Sequence, residues 1–306
     1  MRQSQAGWGG MVATTVAALT VQSALGVVIN NGTAANATAP ADDPGWANVG
    51  QLNGASGVYL GHFATGDWVL TASHVGAGNI NLGGVSYATV SGSAVQLTNP
   101  DGSPTDLELF RISSNPTLPN LTLADTSPTI GSIVMMVGYG STGAATLTTW
   151  DTSTSPWTAT TSPTAPHAQG YLYETGSRYT KRWGEDVVTG DFAVSYANGN
   201  VQVTTVALET TFTAAAGSSE LAPGDSGGAT FIKVGGQWEL AGINLAIGTL
   251  ADQGQPSGTA VFDNTSYMGD LAAYRGQIGQ VTGSVPEPAP VALLLLGAAA
   301  LGFRRR

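Results

Sequence analysis

The chain has 306 residues, 42 of them glycine and none cysteine, with only 10% charged and a formal net charge of −10. So small a share of Glu and Lys excludes a helical bundle, and the missing cysteines exclude disulfides and thiolate metal sites. Between residues 27 and 283 only six basic residues stand against nineteen acidic ones, which excludes the basic stripe that nucleic-acid binding needs.

In chain order, the first predicted element is an address. MVATTVAALTVQSALGVV, from Met11 to Val28, is uncharged and mostly apolar, follows Arg2, and offers Ala24 and Gly26 at cleavage spacing. It predicts a signal peptide over residues 1–26. The helix-breaking residues on both sides weigh against a buried helix.

A long series of strand candidates follows: GVYLGHF (57–63), WVLTASHV (68–75), VSYATV (85–90), AVQLT (94–98) and DLELFRI (106–112). SIVMMVGYG (132–140), FAVSYA (192–197), VQVTTVALETTF (201–212), ATFIKV (229–234), WELAGINLAI (238–247) and TAVFD (259–263) continue it. Their β-branched and aromatic content, punctuated by Gly, Asn, Asp and Pro, predicts an all-β sandwich or barrel. Residues 141–190 break the pattern. They are rich in Thr and Ser with little periodicity, and predict an inserted hairpin or a cover over part of a cleft. One helix is expected in TSYMGDLAAYRGQI, capped by Thr265.

The chain ends in VPEPAPVALLLLGAAALGFRRR. Its apolar run of about 15 residues is shorter than the roughly 20 that span a bilayer comfortably, and three arginines after it favour a cytoplasmic end. With its Pro-Glu-Pro, apolar run and arginines in that order, the segment 284–306 resembles the PEP-CTERM sorting signal of Gram-negative bacteria. That resemblance implies export machinery and a membrane sorting enzyme as partners, with transient or permanent inner-membrane anchoring and a final place in the envelope or outside the cell. A simple tail anchor is the alternative, and it too leaves the preceding domain outside the inner membrane.

The stretch PGDSGG (223–228) surrounds Ser226 with residues that have almost no side chain. Glycine allows backbone to approach a ligand and present its amides, although the same residues also make a turn. A serine nucleophile needs a base, and there are three histidines, His62, His74 and His167. His74 closes the apolar run WVLTASHV, which places its ring at the rim of a barrel. His62 reads as an ordinary strand residue and His167 as a surface one. A histidine base in turn needs an acceptor for its second nitrogen. Asp106, in TDLELFRI, is one candidate, Glu108 and Asp101 compete with it, and Asp106 also fits a turn cap.

LTASHV, DLELF and GDSGG, in that order, resemble the histidine, aspartate and serine motifs of the trypsin and chymotrypsin family. PTIGSIVMMVGYG resembles the strand that opens that family's second barrel. The resemblance implies two six-stranded antiparallel Greek-key β-barrels and a short C-terminal helix within residues 27–283, the first barrel near 45–123 and the second near 127–276. It implies Ser226 as nucleophile, His74 as general base and acid, Asp106 as the group holding the imidazole, and the amides of Gly224 and Ser226 as an oxyanion hole.

The same resemblance pairs Asp225 with a newly made amino terminus at Val27, Val28 or Ile29. It also puts Glu220, six residues before Ser226, at the base of a substrate pocket suited to Lys or Arg. The missing cysteines and the replacement of the family's Ser-Trp-Gly by GINLAIG leave Glu220 free to face solvent instead. The implied activity is that of an exported serine endopeptidase acting on protein or peptide substrates without cofactor or metal. A catalytically weak or inactive protease-like binding protein of the extracellular matrix and an esterase are the alternatives.

Overall fold

The computed structural model describes residues 27–31, 34–162, 164, 166–174 and 179–284. The predicted signal peptide and the sorting tail beyond Ser284 lie outside these residues. Among the described residues no helix is long and apolar enough to cross a membrane.

The chain enters as a two-residue strand, β1 (Val28–Ile29), and then builds a seven-stranded antiparallel sheet. Its strands are β2 (Val49–Leu52), β3 (Ala55–Phe63), β4 (Gly66–Thr71), β5 (Ile80–Leu82), β6 (Val85–Tyr87), β7 (Val95–Thr98) and β8 (Pro104–Ile112), in the spatial order β6-β5-β2-β3-β4-β8-β7. A second body opens with β9 (Ile133–Gly138). After three short strands, β10 (Thr148–Asp151), β11 (Thr158–Ala159) and β12 (His167–Leu172), comes a long hairpin of β13 (Arg182–Asn198) and β14 (Val201–Thr211). The chain continues through β15 (Ser219–Glu220), β16 (Ala229–Val234), β17 (Gln237–Gly248), β18 (Thr259–Val261) and β19 (Thr265–Asp270) into an α-helix, α1 (Leu271–Thr282). Strands β13-β14-β19-β17-β16-β9 close into a six-stranded barrel.

The two bodies share one apolar core. Val58, Leu60, Leu70, Leu107 and Leu109 of the first sheet meet Val137, Phe231, Leu240 and Ile243 of the barrel, with Leu271, Tyr274 and Ile278 of α1 packed on the same cluster. Strand alternation aims these side chains. Along β14, for example, Val203, Thr205 and Ala207 are buried in turn while the residues between them are partly exposed. With no disulfide available, this continuous burial is the main term holding the bodies together.

Two boundaries differ from expectation. The segment from Ser141 does not run as a separate insertion to Gly190, because residues from Arg182 onward belong to β13 and pair with β9. What precedes them forms a small sheet with β18, in the order β11-β10-β12-β18. The helix also starts later than expected. Thr265 is not its cap, because residues Thr265–Asp270 pair with both β14 and β17 and complete the barrel. Asp270 is the cap, accepting from Ala272 N at 3.0 Å, and its second carboxylate oxygen accepts from Ser127 Oγ. We therefore expect Asp270→Ala to destabilise the fold by about 1–2 kcal/mol, read as a lower denaturant midpoint with an unchanged slope.

Candidate active site

The rim of the first sheet carries His74, just past the end of β4, and Asp106, near the start of β8. Adjacent antiparallel pairing of β4 with β8 brings these two strand ends side by side. The His74 ring Nδ1 lies 2.6 Å from Asp106 Oδ2, and the His74 backbone amide donates to Asp106 Oδ1 at 2.9 Å. With Nδ1 as the donor toward a carboxylate, Nε2 is left as the basic nitrogen.

The Asp106 side chain has no solvent exposure. Burial alone pushes its carboxyl up, but the His74 hydrogen bond and charge, with hydroxyl donors from Tyr196 and Ser73, reverse that and hold it below the ordinary value. The hydroxyl distances are 2.5 Å from Tyr196 Oη to Oδ2 and 2.7 Å from Ser73 Oγ to Oδ1. Of the competing carboxylates, Asp101 is exposed and caps its own turn through Ser103. Glu108 is half-buried and pushed up by burial. His62 lies exposed on β3 with Nδ1 3.1 Å from Asp67 Oδ1, and His167 is exposed on β12.

Ser226 occupies the loop before β16 and is almost fully buried. Its backbone carbonyl accepts from Ser56 N at 2.9 Å, which ties the loop to β3 of the other body. Ser56 also donates its hydroxyl to Gly224 O at 2.7 Å and accepts from Tyr139 N at 3.0 Å. Gly224 has φ +102°, and Gly227 has φ +78° with Ser56 O only 2.2 Å from where a Cβ would stand, so neither position tolerates a side chain. Along this loop the amides of Asp225, Gly227 and Gly228 donate to Ala222, Asn244 and Asp225 carbonyls. Those of Gly224 and Ser226 donate to no group among the described residues. The Ser226 hydroxyl points at Leu245 O, 3.5 Å away, and no hydrogen bond joins it to the His74 ring.

Asp225 is fully buried, with Oδ2 accepting from Ala222 N at 2.9 Å and Oδ1 from Gly140 N at 3.2 Å. Burial pushes its carboxyl up to about 8 against the pull of those two amides and the Arg182 charge. Glu220 is also fully buried, so it does not face solvent as the altered local pattern allowed. It sits in β15, whose backbone pairs with β1. Glu220 Oε1 accepts from Asn264 Nδ2 at 2.9 Å, whereas Glu220 Oε2 and Asn264 Oδ1 have no partner. Burial pushes this carboxyl well above the carboxylate range. A proton on it would give the Glu220–Asn264 pair the second donor it lacks. No face of Glu220 is open to a substrate cation in this conformation.

Tyr196 and Ser56 are the contributors that sequence reasoning missed. Each lies far along the chain from the residues it supports, and neither belongs to a recognisable motif.

The trypsin family model matches residues 38–267, and the PEP-CTERM protein-sorting motif matches residues 284–306. The chain belongs to the trypsin family and carries a trypsin-like serine protease domain followed by an envelope-sorting motif of the Gram-negative type. No curated protein sequence matches it. Among solved structures, the active form of the Rv3671c protease from M. tuberculosis is 14% identical with a TM-score of 0.46, over 93% of this chain and 97% of that one. Neuropsin, a serine protease of mouse brain, is 17% identical with a TM-score of 0.46, over 78% of this chain and 95% of that one.

The buried Glu220 makes stability pH-dependent in a defined direction. A carboxyl raised in the folded state stabilises below its unfolded value, and that contribution is lost as pH rises toward the folded value. Glu220→Gln keeps the neutral shape and removes this dependence. We expect its melting temperature to overtake that of the parent by a few degrees as pH is raised from about 4 to about 8; a constant difference across that range would show that Glu220 is not neutral in the fold.

Proposed function

We propose that the chain is an exported serine endopeptidase that hydrolyses peptide bonds through an acyl-enzyme. The observation that carries this reading is the 2.6 Å bond between His74 Nδ1 and a buried, ionised Asp106, beside a serine loop with two uncommitted amides. In the first half-reaction Ser226 Oγ attacks the scissile carbonyl carbon and His74 Nε2 takes its proton. Asp106 holds the ring in the required tautomer and stabilises the imidazolium. The amides of Gly224 and Ser226 receive the oxyanion, a contribution typically on the order of 100-fold in rate per donor. His74 then protonates the leaving amine, and a water activated by the same nitrogen hydrolyses the ester.

The Ser226–His74 hydrogen bond is the element that substrate must complete. Catalytic hydrogen bonds are commonly long before substrate binds and tighten in the complex. The same open gap is what favours the second reading, a protease-like protein that binds without cutting.

Asp225 is assigned to activation. Val27 is fully buried, and carrying the β1–β15 register one residue further sets it against Leu221, next to Ala222, whose amide donates to Asp225. Signal-peptide removal before Val27 would bring an ammonium group to a carboxyl that forms no ion pair among the described residues, lower its pKa and fix the serine loop. The PEP-CTERM motif supports export and later cutting or anchoring at the cell surface by a sorting enzyme.

An active-site fluorophosphonate is expected to label the exported, processed protein and to lose that labelling in Ser226→Ala, with His74→Ala reduced by at least about 1000-fold in rate. Unlabelled wild type would transfer the assignment to the binding protein. Amino-terminal sequencing of the secreted form is expected to begin at Val27, Val28 or Ile29, and a start well beyond Ile29 would remove the role given to Asp225.

A further inference from the structure

The hydroxyl of Tyr196 belongs to neither motif, yet it makes the shortest contact to the Asp106 carboxylate, 2.5 Å to Oδ2, the same oxygen that receives His74 Nδ1. Tyr196 is almost fully buried, with Val194, Val203, Ala207 and Tyr267 around it. It comes from the other body, near the tip of the β13–β14 hairpin. The same tip places Asn198 Nδ2 3.1 Å from Ser73 Oγ, and Thr205 Oγ1 accepts from Asp106 N at 2.9 Å. The hairpin therefore reaches the aspartate from the barrel, while His74 reaches it from the turn after β4.

We propose that Tyr196 is a positioning residue that sets the basicity of His74 through Asp106, a role resting on the serine-peptidase reading above. A hydrogen bond donated to the carboxylate lowers its negative charge density. The carboxylate then pulls less strongly on the Nδ1 proton and stabilises the imidazolium less, so the general base stays deprotonated to lower pH. The other groups facing Asp106 are the Ser73 hydroxyl, the His74 amide and ring, and the charge of Glu108, half-buried on β8. Gln96 and Asn198 reach Ser73 Oγ from their own strands and are neutral. Among the described residues no Lys or Arg forms an ion pair with Asp106, so donated hydroxyls and amides are what oppose its burial.

The test compares full-length processed wild type, Tyr196→Phe and a variant carrying a ring-fluorinated tyrosine at 196, each followed by the pH profile of kcat/KM and by the 15N titration of the His74 ring. Tyr196→Phe keeps the ring packing. Its acidic limb and its His74 titration are expected to move upward by about half to one pH unit, a loss of about three- to tenfold in kcat/KM on that limb. Fluorination makes the phenol a stronger donor, and both readouts are expected to move downward. Superimposable profiles with a lowered melting temperature would reduce Tyr196 to a packing role and overturn the proposal. Should wild type be unreactive toward fluorophosphonate and peptides, the peptidase reading fails, and the ring titration alone decides. A displaced His74 titration in Tyr196→Phe would still support the coupling, and an unchanged one would reject it.

Discussion

A carboxylate with no solvent contact stays charged only if donors replace the water it has lost. Asp106 meets that condition with two donors on each oxygen: His74 N and Ser73 Oγ on Oδ1, His74 Nδ1 and Tyr196 Oη on Oδ2. The four donors also fix the carboxylate in space, so the imidazole it orients has a defined direction. They come from the turn after β4 and from the β13–β14 hairpin, and Asp106 stands on β8. The site therefore exists only when the sheet and the barrel are docked, and the shared apolar core beneath them is a precondition for its electrostatics.

The serine loop depends on the same docking. Ser56, on β3, uses its amide, its hydroxyl oxygen and its hydroxyl proton to join Ser226 O, Tyr139 N and Gly224 O. In a chain without cysteine these three hydrogen bonds take over the bracing that a covalent link could supply. They also act on the peptide units beside the two uncommitted amides, which makes their orientation a property of the body interface as much as of the loop.

How much of this could be read from sequence follows from how local each determinant is. His74, Asp106 and Ser226 each sit in a short run of residues with distinctive chemistry, and their order along the chain was enough to suggest a common site, in which His74 bonds Asp106 and the Ser226 hydroxyl faces Leu245 O. The strand series was legible because β-branched and aromatic runs alternate with turn residues. The start of α1 was not, because Thr265–Asp270 carries both cap-like and strand-like residues, and pairing with β14 and β17 decides between them. The end of the Thr-rich segment was hidden for the same reason, since Arg182–Val187 is recruited by β9 and Val188 and Gly190 by β14. Tyr196, 90 residues from Asp106 in sequence, could not be connected to it without the fold.

Three buried carboxylates near the site show how donor supply, more than burial, sets charge. Asp106, with two donors on each oxygen, is held below its ordinary value. Asp225, with one backbone amide on each oxygen, rises to about 8. Glu220, with a single amide donor from Asn264 and one oxygen without a partner, is pushed well above the carboxylate range by burial. The gradation matches three different tasks. A charged Asp106 suits the proposed role of stabilising an imidazolium, and a Glu220 poor in donors suits a packed strand end. Asp225 stays raised to about 8 even against the Arg182 charge, so a further cation is what the proposed arrival of an amino terminus would add to it.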